Sequence, residues 1–300
     1  MLSVAALDAG LAAIGSAMMP SLQQIADIIN QLFPTYWGFM SRGVGTFNTG
    51  KGLADYYPAF WTNCAWSTAF FVTIYVAFLP VVRYFFPQWV KQLEPHKRND
   101  LPGYALCLFH HVLVVPWAAL HIYRDLYRTD YAAFDYATTE QNTVPLLVGY
   151  LCADLLCTAL PTLSLEYILH HSITLYLTFT GCMATTGTHR WIPHLLFSDI
   201  TQISFNTAWI LRLTPFKEKH EMFIMGLELA FAVSFFFVRV WHMSCVFLVE
   251  TLQGTAIGMG LGRFTLLPLT FLQFFWMHRI VATVRRKLAE MEKGKKAKTI

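Results

Sequence analysis

Charged residues are scarce in this chain of 300 residues: 13% are Asp, Glu, Lys or Arg, against roughly 25% in an ordinary soluble domain. With 55% of residues hydrophobic, that shortage excludes a water-soluble globular protein, and no nucleic-acid partner is expected. Basic residues are missing from the start of the chain, the first being Arg42. The apolar stretch Leu2 to Met19 therefore lacks the basic n-region of a secretory signal and the Arg-rich face of a mitochondrial presequence. Cys64, Cys107, Cys152, Cys157, Cys182 and Cys245 include no C-x-x-C and no zinc-finger spacing. A disulfide framework or structural metal is therefore not expected, and the cysteines read as packing residues. The His residues form only two adjacent pairs, His110-His111 and His170-His171, without the H-x-x-x-H and H-x-x-H-H clusters of diiron membrane hydroxylases and desaturases. No metal site and no cofactor is expected.

What remains is apolar and long. Seven runs, at about 67 to 86, 103 to 122, 144 to 165, 167 to 188, 192 to 213, 222 to 249 and 256 to 284, are each near or above the length that crosses about 30 Å of hydrocarbon at 1.5 Å per residue. They predict an all-α, polytopic transmembrane bundle, because backbone groups in lipid must be satisfied within their own segment. The alternation of a membrane β-barrel is absent. Leu2 to Met19, which contains Asp8 and is broken by Pro20, is an eighth span or an interfacial helix. The Gly- and aromatic-rich stretch 34 to 66 reads as an aqueous or interfacial connection. The chain thus divides into an N-terminal segment 1–66, a membrane domain 67–284 and a basic tail 285–300. Pro80, Pro116, Pro161 and Pro268 predict kinks in several helices.

Charge asymmetry orients the bundle. Arg285, Arg286, Lys287, Lys293, Lys295, Lys296 and Lys298 place the tail in the cytosol by the positive-inside rule. Counting back puts Lys91, Lys97 and Arg98, and then Lys217 and Lys219, on the same side. The loop Tyr123 to Thr143, with Asp125, Asp130, Asp135 and Glu140, falls on the other side with the turn bearing Arg190. Lys296 and Lys298 fit a K-x-K-x-x retrieval signal of the endoplasmic reticulum; attraction to anionic lipids explains the same lysines.

Ionisable groups inside such runs are costly and mark functional candidates. At 100° per residue His170, Thr174 and Thr178 share one face, Glu166 precedes His170 by one turn, and His171 points about 100° away. Only one imidazole can then face a cavity squarely. Asp199, Gln202 and Asn206 form a second stripe, and Glu228, Phe235, Arg239 and His242 a third. Glu228 and Arg239 either neutralise one another or pair with other helices. His110 and His121 share a fourth face, with His111 adjacent. These stripes predict a central polar cavity.

Read together, Glu166, His170, His171 and Thr174 on one span, followed by Ser198, Asp199, Thr201, Phe205 and Asn206 on the next, resemble the TLC domain, named for the TRAM, LAG1 and CLN8 proteins. Gly149-Tyr150 with Asp154-Leu155, and Phe235-Phe236 with Arg239, resemble further family motifs, and His110 or His111 falls where members often have a histidine. The resemblance covers roughly residues 67 to 284 and implies a helical bundle around a lipid-accessible cavity. Its best-known enzymes, the ceramide synthases, join a fatty acyl-CoA to a sphingoid base, and their essential double histidine corresponds to His170 and His171. An imidazole there takes a proton from the attacking amine or itself attacks the thioester, with Asp199 or Asp154 as the orienting carboxylate. Gly181, Cys182, Thr185, Thr188 and Arg190, however, stand where ceramide synthases carry Ser, Tyr, Asn, Arg and Gly. Ser198-Asp199 also replaces their His-Asp with its second Asp. The chain is closer to TLC proteins of the TLCD and CLN8 kind, associated with membrane lipid composition and transport.

The reading favoured is a lipid-binding or lipid-regulating membrane protein of the endoplasmic reticulum. Its catalytic candidates are His170, His171 and Asp199; its cavity candidates are Glu166, Thr174, Asp154, Asn206, Gln202, Arg239 and His110. An acyl-CoA-dependent N-acyltransferase, with acyl-CoA as substrate only, is the alternative. A structural subunit of a membrane complex is a further one. Membrane lipids are the expected partners, and homo- or hetero-oligomers are compatible with the sequence.

Overall fold

The computed structural model describes residues 59–127, 134–183, 192–247 and 265–298. The N-terminal run, the acidic loop's side chains, His121, Cys182, the Arg190 turn and the side chains of Lys296 and Lys298 lie outside the described residues. All regular elements described are helical. In chain order they are α1 (Phe60–Phe85), α2 (Pro87–Gln92), α3 (Pro95–Tyr127), α4 (Phe134–Asp154), α5 (Leu165–Met183), α6 (Ile192–Phe197), α7 (Ile200–Arg212), α8 (Phe216–Lys219), α9 (Glu221–Ser234) and α10 (Leu266–Lys298). Helix α4 continues through a π-helical turn, Leu155–Ala159, and α9 through a longer π segment, Phe235–His242. Among the described residues four stretches are long and apolar enough to cross a membrane: Phe60–Phe85, Pro95–Ala119, Val144–Thr162 and Glu221–Phe247. The chain is an all-α, multi-pass membrane bundle.

Three runs differ from their expected form. Helix α1 begins at Phe60, inside the stretch read as a connection, because Phe60 and Cys64 are buried in the core shared with α4. The run 192 to 213 is not one helix. Ser198 Oγ donates to the Leu195 carbonyl at 2.6 Å, and the Ser198 carbonyl accepts from Thr201 Oγ1 at 3.0 Å and Arg239 Nε at 3.2 Å. Side chains capture backbone groups there, and the helix breaks between α6 and α7. Such irregular backbone is tolerated at membrane depth when buried in protein. Helix α10 runs past the apolar segment to Lys298, about 50 Å for its 33 residues, so its C-terminal part projects beyond a hydrocarbon layer of about 30 Å. Pro268, expected as a kink, sits in the first turn of α10, where no intrahelical bond is lost.

Helix α3 is the hub, packing against α1, α4, α6 and α7, while α10 packs on α5 and on the π segment after α9. Tyr104 of α3 stacks on Trp209 of α7 at 3.8 Å, Arg212 of α7 pairs with Glu228 of α9 at 2.7 Å, and Trp89 Nε1 donates to the Leu213 carbonyl at 2.7 Å. Gly149 allows α4 to meet α1 closely: a Cβ there would lie 2.6 Å from the Ser67 backbone carbon. Small residues set such close helix contacts in membranes. Tyr84, Phe85, Met222, Phe237 and Phe271 are exposed on the outside, whereas His110, His111, Asp154, His171, His194, Asn206 and Arg239 are buried. That inverted pattern suits a protein whose outer solvent is lipid. At the α2–α3 turn, outside the bundle, Lys97 donates to Glu94 at 2.6 Å and holds that carboxyl below its ordinary range.

Candidate functional site

The break between α6 and α7 places Asp199 at the centre of the bundle. Its Oδ1 accepts from Arg239 Nη2 at 2.9 Å, and its Oδ2 lies 3.4 Å from His111 Nε2. Arg239 also donates from Nε to Thr201 Oγ1 at 3.0 Å and rests over the Phe235 ring at 5.8 Å. The π segment matters here, since its wider turns shift residues around the helix axis relative to regular helical spacing. Glu228, expected on one side with Arg239, meets Arg212 of α7. Of the two expected outcomes for that pair, pairing with other helices is the one found.

A sulfur joins the same centre. His111 Nδ1 lies 3.4 Å from Cys107 Sγ, and Asn206 Nδ2 donates to that sulfur at 3.0 Å. Cys107 is therefore a hydrogen-bonding member of the site rather than the packing residue expected from the sequence. All five described cysteines, Cys64, Cys107, Cys152, Cys157 and Cys245, are free thiols. His110, 0% exposed, stacks on Tyr150 at 4.0 Å and packs edge-on against Phe71. Neither of its ring nitrogens has a partner among the described residues.

The double histidine forms a second centre. His171 Nε2 meets Asp154 Oδ2 at 2.9 Å, and its Nδ1 meets the Tyr167 carbonyl at 3.0 Å. Both of its nitrogens are committed, so none is open to a substrate proton. His170 differs: it packs edge-on against Trp276 of α10 at 5.1 Å, and its Nδ1 is buried without a partner among the described residues. Ile173 of α5 and Leu195 of α6 pack against one apolar cluster, so the two centres lie on adjoining helices. Thr174 Oγ1, Ser244 Oγ and Gln273 Oε1 are likewise buried and unpartnered among the described residues. Their helices, α5, the continuation of α9 and α10, share one apolar cluster including Leu177, Met243 and Leu269.

Of the residues named from the sequence, Asp199, Arg239 and Asn206 thus join His111 and Cys107, with His110 alongside, and Asp154 joins His171. Of the two carboxylates considered for the double histidine, Asp154 makes the contact. Glu166 turns to Arg279 of α10 at 2.7 Å, in a half-exposed position, and Gln202 is half-buried on α7. The residues missed are Cys107, Ser244, Gln273, Trp276, and His194, whose Nδ1 faces His242 Nε2 at 2.9 Å. Each lies on a helix whose neighbours no spacing rule reveals, although Cys107 stands one turn before His111.

Helices with an apolar exterior and a buried core of paired histidines and charges define a multi-pass membrane protein with an internal polar site. The chain matches the TLC domain of TRAM, LAG1 and CLN8 proteins over residues 60–282, and it belongs to that family. No curated protein and no solved structure matches it significantly. Membership associates it with membrane lipid metabolism or its regulation.

Proposed function

We propose that the protein binds a membrane lipid between α5, the continuation of α9 and α10, and through it regulates membrane lipid composition or transport. The observation that carries this is the set of buried polar atoms without protein partners on those three helices: His170 Nδ1, Thr174 Oγ1, Ser244 Oγ and Gln273 Oε1. A buried unsatisfied polar atom costs about 1–3 kcal/mol. Several on neighbouring helices form an internal surface that a hydrogen-bonding headgroup satisfies. Exposed apolar side chains on the same helices, Leu169 and Tyr176 on α5 and Phe271 and Phe274 on α10, offer contact to acyl chains. Residence in the endoplasmic reticulum with a cytosolic C-terminus rests on the basic tail alone.

The test is lipid analysis of protein purified in mild detergent. Wild type is expected to retain a discrete lipid, and His170→Ala or Thr174→Val to lower its occupancy about tenfold at limiting lipid, equivalent to about 1.4 kcal/mol. Lipid content no higher than that of an unrelated multi-pass protein, or unchanged in both variants, refutes the reading.

One observation favours acyl transfer as a second reading. The open Nδ1 of His170 beside the committed His171–Asp154 pair makes His170, and not His171, the imidazole able to take a proton from an attacking amine. Purified protein that transfers no labelled acyl group from acyl-CoA to any long-chain amine excludes it.

A further inference from the structure

We infer that His110, His111 and Asp199 form a site for one divalent transition-metal ion. Their ligand atoms all lie within 4.8 Å of one another, and two imidazoles with one carboxylate are a ligand set of catalytic zinc and of mononuclear iron(II) centres. Two details go beyond proximity. His111 Nε2 and Asp199 Oδ2 are 3.4 Å apart, long for a charge-assisted hydrogen bond but about the separation of two tetrahedral ligands each about 2.1 Å from a shared ion. His110 is fully buried and has no partner among the described residues for either ring nitrogen. Such a histidine carries an uncompensated desolvation cost, which a metal bond removes, and binding would draw its ring inward from the present spacing of up to 4.8 Å.

The surroundings supply the outer support that metal ligands need. The second nitrogen of His111 is held against Cys107 Sγ, itself held by Asn206. The second oxygen of Asp199 is fixed by Arg239 Nη2 at 2.9 Å. The guanidinium and the ion would bind opposite oxygens of one carboxylate, which offsets their mutual repulsion. Three protein ligands leave a coordination position open. With a dication, one arginine and one carboxylate, the centre carries excess positive charge, so that position suits an anionic oxygen such as a lipid phosphate or carboxylate. This departs from the expectation of no metal site, which rested on spacing along the chain, because the third ligand lies 88 residues beyond His111 on another helix.

The full chain, purified in detergent without a histidine tag or chelator, is analysed for metal content. Wild type is expected to carry about one zinc or iron per chain, which separates the two ions, while His110→Gln and Asp199→Asn fall below about a fifth of that. His220→Ala, which removes an exposed histidine beside α9, keeps the wild-type content. Cobalt(II) titration of wild type needs no variant to fold: it is expected to give a saturable visible band at one equivalent that zinc abolishes. Metal below about 0.1 per chain with no saturable cobalt band overturns the site. Metal retained in His110→Gln but lost in His220→Ala overturns it too, as adventitious surface binding.

Discussion

Replacement of Arg239 by methionine is expected to destabilise the bundle by about 3–5 kcal/mol, the usual cost of removing one member of a buried ion pair. Arg239 is 4% exposed and makes three hydrogen bonds across the helix break, to Asp199, Thr201 and the Ser198 carbonyl. Without it the Asp199 carboxylate keeps only the longer contact with His111, and the Ser198 carbonyl loses its charged donor. Combining Arg239→Met with Asp199→Asn is expected to cost less than the two changes added, since the double variant leaves no unpaired charge. Unfolding in mixed micelles of increasing SDS content measures this, on chelator-treated protein so that a bound ion does not contribute. An Arg239→Met protein within about 0.5 kcal/mol of wild type would show that the pair does not hold the break.

Gly149→Ala is the second large effect. A Cβ at Gly149 would come within 2.4 Å of Ser67 Cβ, 2.6 Å of the Ser67 backbone carbon and 2.7 Å of the Thr68 nitrogen. Backbone atoms cannot rotate away, so α1 and α4 must separate, at a cost near the upper end of the 1–3 kcal/mol typical of overpacking, about 3 kcal/mol. The separation also moves Tyr150 and Asp154, which support His110 and His171. Ser67→Gly is expected to restore only part of the loss, because the Ser67 and Thr68 backbone contacts remain. Gly226 is the control: a Cβ there meets nothing within 4 Å, and Gly226→Ala is expected to gain about 0.5–1 kcal/mol from helix propensity. Equal melting temperatures for Gly149→Ala and Gly226→Ala would remove the close-packing argument.

These two positions show how the site was legible. Gly149, Tyr150 and Asp154 stand out in the sequence as a spaced group, but the reason for the spacing is tertiary. The glycine admits α1, the tyrosine stacks on His110, and one turn later the aspartate reaches His171. Periodicity placed Asp199 and Asn206 on one helix face, and both do turn toward α3. For Glu228 and Arg239 it left two outcomes open, mutual neutralisation or pairing with other helices, and the contacts with Arg212 and Asp199 are the second. Turn spacing groups Glu166 with His170, yet Arg279, distant in sequence, is its partner.

Composition and the length of the apolar runs suffice for an all-helical membrane protein and for the segments apolar enough to enter lipid, because hydrocarbon admits only backbone that satisfies its own hydrogen bonds. The sequence also names most of the buried polar residues, since charges in such segments are too costly to be incidental. Which partner each of them takes follows from the packing of the helices in three dimensions. A carboxylate and an imidazole from two helices meet or miss according to helix breaks, π turns and the close approach at Gly149. These displace side chains by ångströms, and polar contacts inside the bundle form or fail on that scale.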